Sequence, residues 1–565
     1  MKHVRPIPIG VEFYKKMIDG GYYYIDKTLL IKDILDQGIT TALFTRPRRF
    51  GKTLAQSMLK TFFEREVLPD GTVVDNSVYF QGKKIMEAGE GYLRHMGKYP
   101  VISLSLKSAK QPSYEAACEK LRIEIAKEYK RHSYVLDGHL LFPSEKKEFI
   151  AAMERTAPLS EYYTSLQFLS ECLEKYHGQK VIILLDEYDV PLENAYFNGF
   201  YDEMVSFMRS LFESALKTNE SLNLAVVTGC LRISRESIFT GLNNLKTISV
   251  LDDSYAEYFG FTQHEVDGIL DTYGIAYKRE EVKDWYDGYL FGSTEVYNPW
   301  SVVNYIYDIV YGNTEFPKPY WSNTSSNSIV RELIEDADES TKQELEELVA
   351  GGTIEKPVHE DITYEDIYNS QDNLWNFLFF TGYLKAVKKS FRSRQIYLAM
   401  KIPNEEILYI YENNIREWSG RCIERQDLSG LIAALEEGDC KTASNIITAQ
   451  LMETISFYDY KEDYYHGFVA GLLKNNNKYV IKSNRESGIG RYDLALKTKR
   501  IRGGMAIILE LKVADSINKL EQGCREALEQ IERLRYADDI LEEGYTDIIK
   551  YGICFYKKEC LTMKV

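Results

Sequence analysis

Short runs of apolar residues recur along the first 230 positions, and longer helix-like stretches separate them. Four of these runs are nearly all apolar rather than alternating, which is typical of strands buried on both faces of a sheet. They are TTALFT (40–45), YPVISLSL (99–106), VIILLDEYD (181–189) and LNLAVVTG (222–229). Strands joined by long helical connections predict a mostly parallel sheet with helices on both faces, and therefore an α/β fold.

Beyond about residue 260 the pattern becomes mostly helical. QELEELVAGG (343–352) and LSGLIAALEEGD (428–439) have apolar residues at helical spacing and end in Gly or Asp, as helices commonly do. Between them, RQIYLAMKIPNEEI (394–407) predicts a strand followed by a helix that Asn404 caps. We expect this middle region to be a helical lid or connector.

The last hundred residues return to strands. KYVIKSN, RYDLALK and MAIILELKV predict three strands in succession, and a long helix is expected over roughly 516–540. KYGICFYK (550–557) then predicts a fourth strand. This pattern indicates a separate small α/β domain at the end of the chain.

The composition restricts the class of protein but does not indicate a function. The chain has 565 residues, 44% of them hydrophobic and 27% charged, which is ordinary for a globular protein. A net charge of −16 argues against a general polycation. The eight cysteines form no C-x-x-C pair, so they are expected to be free thiols in a reducing cytosol. No signal peptide or membrane span is recognisable, and a cytoplasmic location is predicted.

The segment TRPRRFGKT (45–53) has the end of a phosphate-binding loop, with Gly51, Lys52 and Thr53. In such a loop, backbone N–H groups at a helix N-terminus face the phosphates, the lysine contacts them and the hydroxyl ligates Mg²⁺. The segment follows a predicted strand and precedes a predicted helix, which is the context that the motif requires. However, Arg46 stands where the usual pattern has its first glycine. A basic surface turn is the alternative explanation.

Two later segments contain the remaining parts of such a site. Asp186 and Glu187 end a buried strand, where an acid can hold Mg²⁺ and an adjacent glutamate can act as general base. Thr228 ends the next strand and could sense the γ-phosphate, with Arg232 and Arg235 beyond it to stabilise transition-state charge. Each segment alone also fits a structural explanation, either a pair of strand-end acids or a strand with solvated arginines.

Six segments together resemble the bacterial AAA-ATPase-like family, over about residues 5–300. They are YYYIDKTLLIKDIL, TRPRRFGKTL, LLDEYDVPL, VTGCLRISRESIFTGLNNL, WYDGYLFG and VYNPWSVVN. In that family the loop reads R-P-R-R-F-G-K-[ST], so the resemblance implies that the missing glycine is a family trait. The family is commonly fused to a C-terminal nuclease-like domain.

The resemblance implies an ATP site of the additional-strand P-loop type with bound Mg²⁺. Its nucleotide-contacting residues would include Lys52, Thr53 and Asp186, with Gly51 and Thr228 beside them. Arg48 and Arg49 are candidates either for extra phosphate contacts or for contacts with a neighbouring acidic surface. Thr53 and Asp186 would be on the metal side, and Glu187 would be the catalytic base. Arg232 and Arg235 are weaker assignments. Asp26 and Lys27 match a family segment whose role is either a structural ion pair or a nucleotide contact.

The tail contains Asp493, followed by Glu510 and Lys512 in an E-x-K spacing. Alternate residues of a strand share a face, so Glu510 and Lys512 are expected to point the same way. If the strand of Asp493 pairs with theirs, two carboxylates can meet around one Mg²⁺ while the lysine orients water. An exposed strand of alternating charge is the alternative. The arrangement resembles the PD-(D/E)xK nuclease superfamily over about residues 455–560.

Neighbouring residues fit that resemblance: Glu462, His466, Glu486, Gly490, Arg491, Gln530 and Tyr536. Nine Lys or Arg and two acids lie between positions 474 and 502, a local excess of seven positive charges (9 − 2 = 7). Such a stretch is the expected contact for a nucleic acid, with DNA favoured. No helix-turn-helix or zinc-finger pattern is present, so sequence-specific binding is not predicted.

The sequence therefore predicts three domains and two linked activities. Residues 1–260 would form the P-loop ATPase domain, 261–455 the lid or connector, and 456–565 the nuclease-like domain. ATP binding would control a Mg²⁺-dependent nuclease. The alternative is a nucleotide-dependent switch that does not cleave, whose tail only holds nucleic acid or a protein partner. The sequence makes no prediction of oligomeric state.

Overall fold

The computed structural model describes residues 4–565 except 69, 233–237, 240–241, 313, 324–329, 332–333, 336–337, 361, 363, 365, 368–369, 426–428, 454–461, 475–477, 488–489 and 500–503. Only the backbone is described at 322–323, 339, 416, 418–425, 429, 453, 462–463, 484–487 and 490–491. The chain forms two compact units. The first comprises Met1–Asn323 and Thr353–Leu408, and the second comprises Thr324–Gly352 and Tyr409–Val565.

The first unit contains a five-stranded parallel sheet with the strand order β2-β3-β4-β1-β5. Its strands are β1 Thr41–Thr45, β2 Val101–Ser105, β3 Val181–Asp186, β4 Leu222–Gly229 and β5 Leu245–Ile248. The four strands predicted from apolar runs are confirmed, whereas β5 was not predicted. Every residue of β1 and β3 is buried, as a sheet covered by helices on both faces requires.

Up to residue 323, the described helices of the first unit separate these strands and continue beyond them. They are α1 Tyr14–Asp19, α2 Leu29–Gln37, α3 Lys52–Phe63, α4 Glu90–Leu93, α5 Tyr114–Arg131, α6 Pro143–Glu154, α7 Leu159–Tyr162, α8 Ser165–His177, α9 Val190–Asn198, α10 Tyr201–Leu216, α11 Gln263–Thr272, α12 Arg279–Tyr286 and α13 Pro299–Tyr311. Helix α3 begins directly after Gly51, so the predicted strand–loop–helix context of the GKT segment is confirmed.

The middle region has more sheet than its sequence pattern indicates. It contains the hairpin of β6 Tyr289–Phe291 and β7 Thr294–Val296, and an antiparallel sheet of β8 Ile354–Pro357, β9 Lys385–Arg392 and β10 Gln395–Lys401. Helices α14 Glu339–Val349, α15 Gln371–Thr381 and α16 Glu405–Arg425 belong to the same stretch. The predicted Asn404 cap is confirmed, because the N–H of Ile407 donates to Oδ1 of Asn404 at 3.1 Å.

The second unit is built on another five-stranded sheet, in the order β11-β12-β13-β14-β15. Its strands are β11 Tyr479–Ser487, β12 Gly490–Thr498, β13 Met505–Val513, β14 Asp547–Tyr556 and β15 Glu559–Lys564. Its further helices are α17 Ser429–Glu437, α18 Cys440–Glu453, α19 Glu462–Lys474, α20 Leu520–Arg533 and α21 Tyr536–Glu542. Strands β13 and β14 are parallel, with α20 in the connection between them, and the other neighbours are antiparallel.

Two hydrophobic clusters cover the two faces of this second sheet. Leu494, Leu496 and Leu509 belong to the cluster that includes α19, whereas Ala495 and Ile508 belong to the cluster that includes α21. This alternation is the period-two pattern of a sheet buried on both sides. The carboxyl ends of β13 and β14 are thereby fixed between helices, and Glu510 and Lys512 lie in that part of β13.

One predicted element was wrong in extent. The single helix expected over 516–540 is a turn of 3₁₀-helix, Ile517–Lys519, followed by α20 and the separate helix α21. The chain breaks at Arg535, whose φ of 57° is left-handed, and a helix cannot continue through that conformation. Strand β15 also follows the four strands that were predicted. Among the described residues, no helix combines the length and apolar character needed to cross a membrane.

Candidate functional site

The first candidate site lies where β1, β3 and β4 end at the same edge of the parallel sheet. Asp186 is the last residue of β3 and is 6% exposed. The hydroxyl of Thr53 donates to its Oδ2 at 2.7 Å, and the hydroxyl of Thr228 donates to its Oδ1 at 2.5 Å. The structure therefore brings together three of the predicted residues around one carboxylate, because parallel neighbours end on the same side.

The loop before α3 wraps around the ammonium group of Lys52. Its Nζ donates to the carbonyl oxygens of Arg46 and Pro47, both at 2.8 Å, and the side chain is 6% exposed. The loop turns through two left-handed residues, Arg49 with φ 71° and Gly51 with φ 83°. Gly51 is the N-cap of α3, so the backbone freedom of glycine is used at the helix start rather than at the position of Arg46.

Arg46 itself is an interior residue. It is fully buried, and its Nη1 donates to the carbonyl oxygens of Thr45 at 2.9 Å and Ile248 at 3.0 Å. Its guanidinium lies over the rings of Phe259 and Phe291, 5.4 and 5.1 Å from their centres. Burial lowers the pKa of Arg46 to about 9. Arg46 thus joins the end of β1 to the end of β5.

The next two arginines contact protein side chains rather than each other. Nη2 of Arg48 lies 2.5 Å from Oε2 of Glu193 on α9. The guanidinium of Arg49 lies 4.0 Å from the centre of the Trp300 ring on α13. Burial lowers the pKa of Arg49. For Arg48, burial acts in the same direction, but the carboxylate of Glu193 outweighs it and raises the pKa. A phosphate contact by either arginine stays a prediction.

Glu187, the predicted base, follows Asp186 with a left-handed φ of 53°. A glutamate in this conformation is uncommon and is often found at functional positions. Burial raises the pKa of its carboxyl, and the negative charge of Asp186 raises it further. The carboxyl of Glu187 is therefore easier to protonate than that of an ordinary glutamate.

The remaining predictions at this site have different outcomes. Nη1 of Arg232 lies 3.2 Å from Oε2 of Glu360, and Arg235 lies outside the described residues. Lys27 forms an ion pair with Glu265 at 2.6 Å. Asp26 accepts hydrogen bonds from both the N–H and the hydroxyl of Thr28. These contacts favour the structural explanation for Asp26 and Lys27.

The second candidate site lies on the paired strands β12 and β13. The N–H of Leu511 donates to Oδ2 of Asp493 at 2.8 Å, and the N–H of Asp493 lies 3.4 Å from Oε2 of Glu510. The two carboxylates are therefore neighbours, as expected if their strands pair. Nζ of Lys512 lies 3.8 Å from Oε1 of Glu510, in agreement with the shared face that the E-x-K spacing predicts.

Helices on two sides complete this cluster. Nε2 of Gln530 on α20 donates to Oε1 of Glu510 and lies 3.4 Å from the hydroxyl of Tyr536. Nε2 of His466 on α19 lies 2.9 Å from the carbonyl oxygen of Asp493. The side chains of Glu462, Glu486 and Arg491 lie outside those that the structure describes.

Both geometries agree with comparisons to known families. Residues 8–239 match the family described as "Predicted AAA-ATPase", and residues 460–565 match the PD-(D/E)XK nuclease superfamily. The chain joins an AAA-ATPase-like domain to a PD-(D/E)XK domain. The two resemblances predicted from sequence motifs are confirmed.

A relative of this chain is known from Azotobacter chroococcum mcd 1, where it is described as an uncharacterized protein in the vnfD 5′ region. It is 28% identical over 338 residues, which cover 58% of this chain. The matched region spans 56% of the length of that relative, or little more than half of it.

Two residues of the AAA-ATPase-like domain were missed by sequence reasoning. Gln56 on α3 is buried, and its Nε2 donates to the carbonyl oxygens of Leu185 at 3.2 Å and Val226 at 3.0 Å. Asp189 is also buried and accepts from the N–H groups of Cys230 and Leu231. A polar residue within the apolar face of α3 was the signal for Gln56, and the second aspartate of DEYD was the signal for Asp189.

The oxygen donors at both sites fit a small hard cation. At the first site they are the hydroxyl of Thr53 and the carboxylate of Asp186, and at the second the carboxylates of Asp493 and Glu510. Among the described residues, no group of three or more His, Cys, Asp and Glu side chains is arranged to hold a metal. Mg²⁺ commonly uses one or two carboxylates with waters and substrate phosphates, so two protein carboxylates suit Mg²⁺ better than a cation needing a complete protein shell.

Two lysines of the predicted basic stretch in the PD-(D/E)XK domain form ion pairs with glutamates of the protein. Lys497 is 5% exposed, and its Nζ lies 2.7 Å from Oε2 of Glu543. Nζ of Lys478 lies 2.7 Å from Oε2 of Glu436. Of the nine cations, four have side chains outside those described: Arg485, Arg491, Arg500 and Arg502. Thus Lys497 is not part of an exposed positive surface, because it is buried beside a carboxylate.

Proposed function

We propose that this protein hydrolyses ATP in its AAA-ATPase-like domain and uses its PD-(D/E)XK domain to cleave nucleic acid, with DNA as the favoured substrate. The observation that carries the proposal is the pairing of Asp493 with Glu510. The N–H of Asp493 approaches the carboxylate of Glu510, and the N–H of Leu511, next to Glu510, donates to the carboxylate of Asp493. Two adjacent carboxylates beside a lysine are suited to phosphodiester cleavage with a divalent cation.

In the ATPase reaction, Lys52 would contact the nucleotide phosphates while Thr53 and Asp186 hold Mg²⁺. Mg²⁺ neutralises charge that develops on phosphate oxygens. Thr228 would sense the terminal phosphate, since its hydroxyl already contacts Asp186. Glu187 would accept a proton from the attacking water. Its raised pKa supports this role, because a general base works best when its pKa is near the working pH.

The arginines would complete the phosphate environment. Arg232 would stabilise charge in the transition state, which requires it to leave its ion pair with Glu360. Arg48 and Arg49 would supply further contacts after release from Glu193 and Trp300. Such contacts are stronger than neutral hydrogen bonds because both partners are charged.

In the nuclease reaction, Asp493 and Glu510 would hold Mg²⁺ against the scissile phosphate. Mg²⁺ supplies Lewis acidity at that phosphate. Lys512 would orient the attacking water and stabilise negative charge, since its ammonium group lies beside Glu510. Gln530 fixes the carboxylate of Glu510 through its hydrogen bond to Oε1. A carboxylate held in this way loses little freedom when a cation binds.

The domain division is part of the proposal. We place the ATPase at residues 1–260, a lid or connector at 261–455 and the nuclease at 456–565. ATP binding would control access of nucleic acid to Asp493 and Glu510. The joining of the two domains in one chain supports this coupling.

The decisive test is cleavage of labelled single- and double-stranded DNA and RNA, with and without Mg²⁺ and ATP. Wild-type protein should cleave DNA only with Mg²⁺, and Asp493→Ala and Glu510→Ala should abolish cleavage. Asp515→Ala is a matched control, since it removes an exposed carboxylate from the same domain (90% exposed). Cleavage that persists after Asp493→Ala would contradict the nuclease proposal.

The same preparation distinguishes the alternative of a switch that does not cleave. A switch would release no phosphate from ATP and cut no nucleic acid, yet nucleotide would still raise its melting temperature. Phosphate release that requires Mg²⁺ and Lys52, together with cleavage that requires Asp493, would instead support the coupled enzyme.

A further inference from the structure

A second positively charged surface lies outside the PD-(D/E)XK domain, on the hairpin of β9 and β10. Residues 382–402 contain six Lys or Arg and no Asp or Glu, in a chain whose net charge is −16. The six are Lys385, Lys388, Lys389, Arg392, Arg394 and Lys401. This concentration of charge belongs to the first unit, and the functions proposed above do not use it.

Four of these cations face solvent. Strand β9 is at one edge of the described three-stranded sheet, and Lys388, Lys389, Arg392 and Arg394 are exposed. The neighbouring strand β10 buries Leu398 and Met400 against the core. The hairpin is therefore anchored on one face, and its edge and tip remain accessible.

An exposed aromatic residue lies among the cations. Phe391 is 74% exposed near the end of β9. Arg392 lies over the ring of Tyr397, 4.2 Å from its centre. Aromatic rings beside basic side chains are the usual composition of surfaces that bind nucleic-acid backbones and stack on bases.

The turn of this hairpin is strained in a way that presents an arginine. Ser393 and Arg394 both have positive φ, 52° and 66°. A two-residue turn of this type usually contains Asn-Gly or Asp-Gly, because other residues pay a conformational cost there. Backbone strain concentrates at functional positions, and here it places Arg394 at the tip.

Acidic neighbours neutralise only part of this charge. Nη2 of Arg392 lies 2.8 Å from Oε2 of Glu355 on β8. Lys389 lies near Asp253, whose pKa is lowered mainly by hydrogen bonds from Ser293 and further by this lysine. Within the part of the chain that the structure describes, Lys388, Lys389 and Arg394 form no ion pair.

We propose that the β9–β10 hairpin of the first unit, in the predicted lid or connector region, binds the sugar–phosphate backbone of the nucleic acid that the protein acts on. The inference rests on the proposed function in one respect, that the partner is a nucleic acid. Lysines on an edge strand also prevent pairing with other chains. That purpose does not account for an arginine at a strained turn beside an exposed phenylalanine. Contacts of this kind do not depend on base sequence.

The test measures binding by the full chain carrying Asp493→Ala, which prevents cleavage during titration. Fluorescence anisotropy of labelled duplex and single-stranded DNA is compared with and without the triple change K388Q, K389Q and R394Q. We expect the triple variant to raise Kd about tenfold at moderate salt. The slope of log Kd against log salt should fall by about 2 to 3, since each phosphate contact contributes about 0.9.

A matched variant removes the same charge from another part of the first unit. It carries K120Q, K130Q and K147Q, three exposed lysines of α5 and α6. This control should change Kd less than about twofold, and both variants should melt at the same temperature as their parent. A selective loss of affinity in the hairpin variant supports the proposal.

The proposal would be overturned by equal Kd values for the hairpin variant and its parent, by an equal loss in the control, or by no DNA binding by the parent. Loss of binding to phosphatidylserine vesicles with unchanged DNA affinity would also overturn it. The nuclease proposal is tested separately. If the wild type does not cleave but the hairpin variant loses affinity, the nuclease proposal fails and the hairpin proposal stands.

Discussion

The hydroxyl of Thr228 lies 2.5 Å from Oδ1 of Asp186, and it links the end of β4 to the end of β3. The other oxygen of the same carboxylate accepts from Thr53 at the start of α3. Asp186 is therefore held from two sides in the orientation that its proposed magnesium role requires. A change at Thr228 would therefore alter the setting of the Asp186 carboxylate. It would leave in place the charged side chains that are proposed to bind phosphate.

Thr228→Val removes this hydroxyl while keeping the side-chain volume. We expect kcat for ATP hydrolysis to fall about 10- to 100-fold, because a hydrogen bond to a charged group contributes about 1.5 to 3 kcal/mol. KM should change little. Steady-state phosphate release measures both constants. Thr228→Ser retains the hydroxyl and should keep most of the activity, so an equal loss in the serine variant would contradict the role assigned to the hydrogen bond.

Lys52→Ala should abolish ATP hydrolysis and the rise in melting temperature that nucleotide causes. The ammonium group of Lys52 holds the carbonyl oxygens of Arg46 and Pro47, so its removal also leaves two acceptors of the loop without their donor. Phosphate release and thermal unfolding with and without nucleotide check both effects. Lys60→Ala, on the last turn of the same helix, is the control and should retain hydrolysis. Normal hydrolysis by Lys52→Ala would remove the nucleotide site from this loop.

Arg46→Gly restores the glycine of the usual loop pattern, yet we expect it to destabilise the protein. The change empties a fully buried position and removes two hydrogen bonds and two contacts with aromatic rings. Large-to-small changes at buried sites cost about 3 to 5 kcal/mol. Urea unfolding of both proteins measures this loss. A glycine variant as stable as the wild type would mean that the contacts of Arg46 between β1 and β5 do not contribute to the free energy of unfolding.

The features predicted correctly from sequence are those that short segments encode. The apolar runs that form β1 to β4 and the strand–loop–helix context of Lys52 are local patterns, and so is the E-x-K spacing of Glu510 and Lys512. The placement of Asp186 and Thr228 at one edge of the parallel sheet, where they meet Thr53, follows from strand direction. The motifs and the family resemblance together suggested the roles of individual residues, which remain proposals.

The features that were missed depend on contacts between distant parts of the chain. From the sequence alone, Arg46 is expected at the surface. In the fold it packs against Phe259 and Phe291, which lie more than 200 positions later in the chain. Lys497 is likewise expected on a basic surface, but in the fold it forms an ion pair with Glu543. The end of α20 before Arg535 depends on one left-handed residue, for which helix periodicity gives no signal.

Glu406 provides a test of stability against pH that is independent of both catalytic sites. Its carboxylate is fully buried on α16 and accepts from the hydroxyl of Ser301 and the N–H of Trp321. Burial raises its pKa from 4.5 to about 8. Because the folded pKa lies above the unfolded pKa, the stability from this group is complete below about pH 4.5 and is lost as pH rises towards 8.

Glu406→Gln keeps an acceptor for Trp321 and removes the titration. Relative to wild type, its free energy of unfolding should increase by about 2 to 4 kcal/mol between pH 5 and pH 8, because only the wild type loses stability as Glu406 ionises. Urea unfolding across this range measures the difference. Glu405→Gln is the matched control, since the neighbouring Glu405 is exposed, and it should follow the wild-type pH dependence. A difference between Glu406→Gln and wild type that stays constant with pH would contradict the raised pKa, because only a group that titrates in this range makes the difference depend on pH.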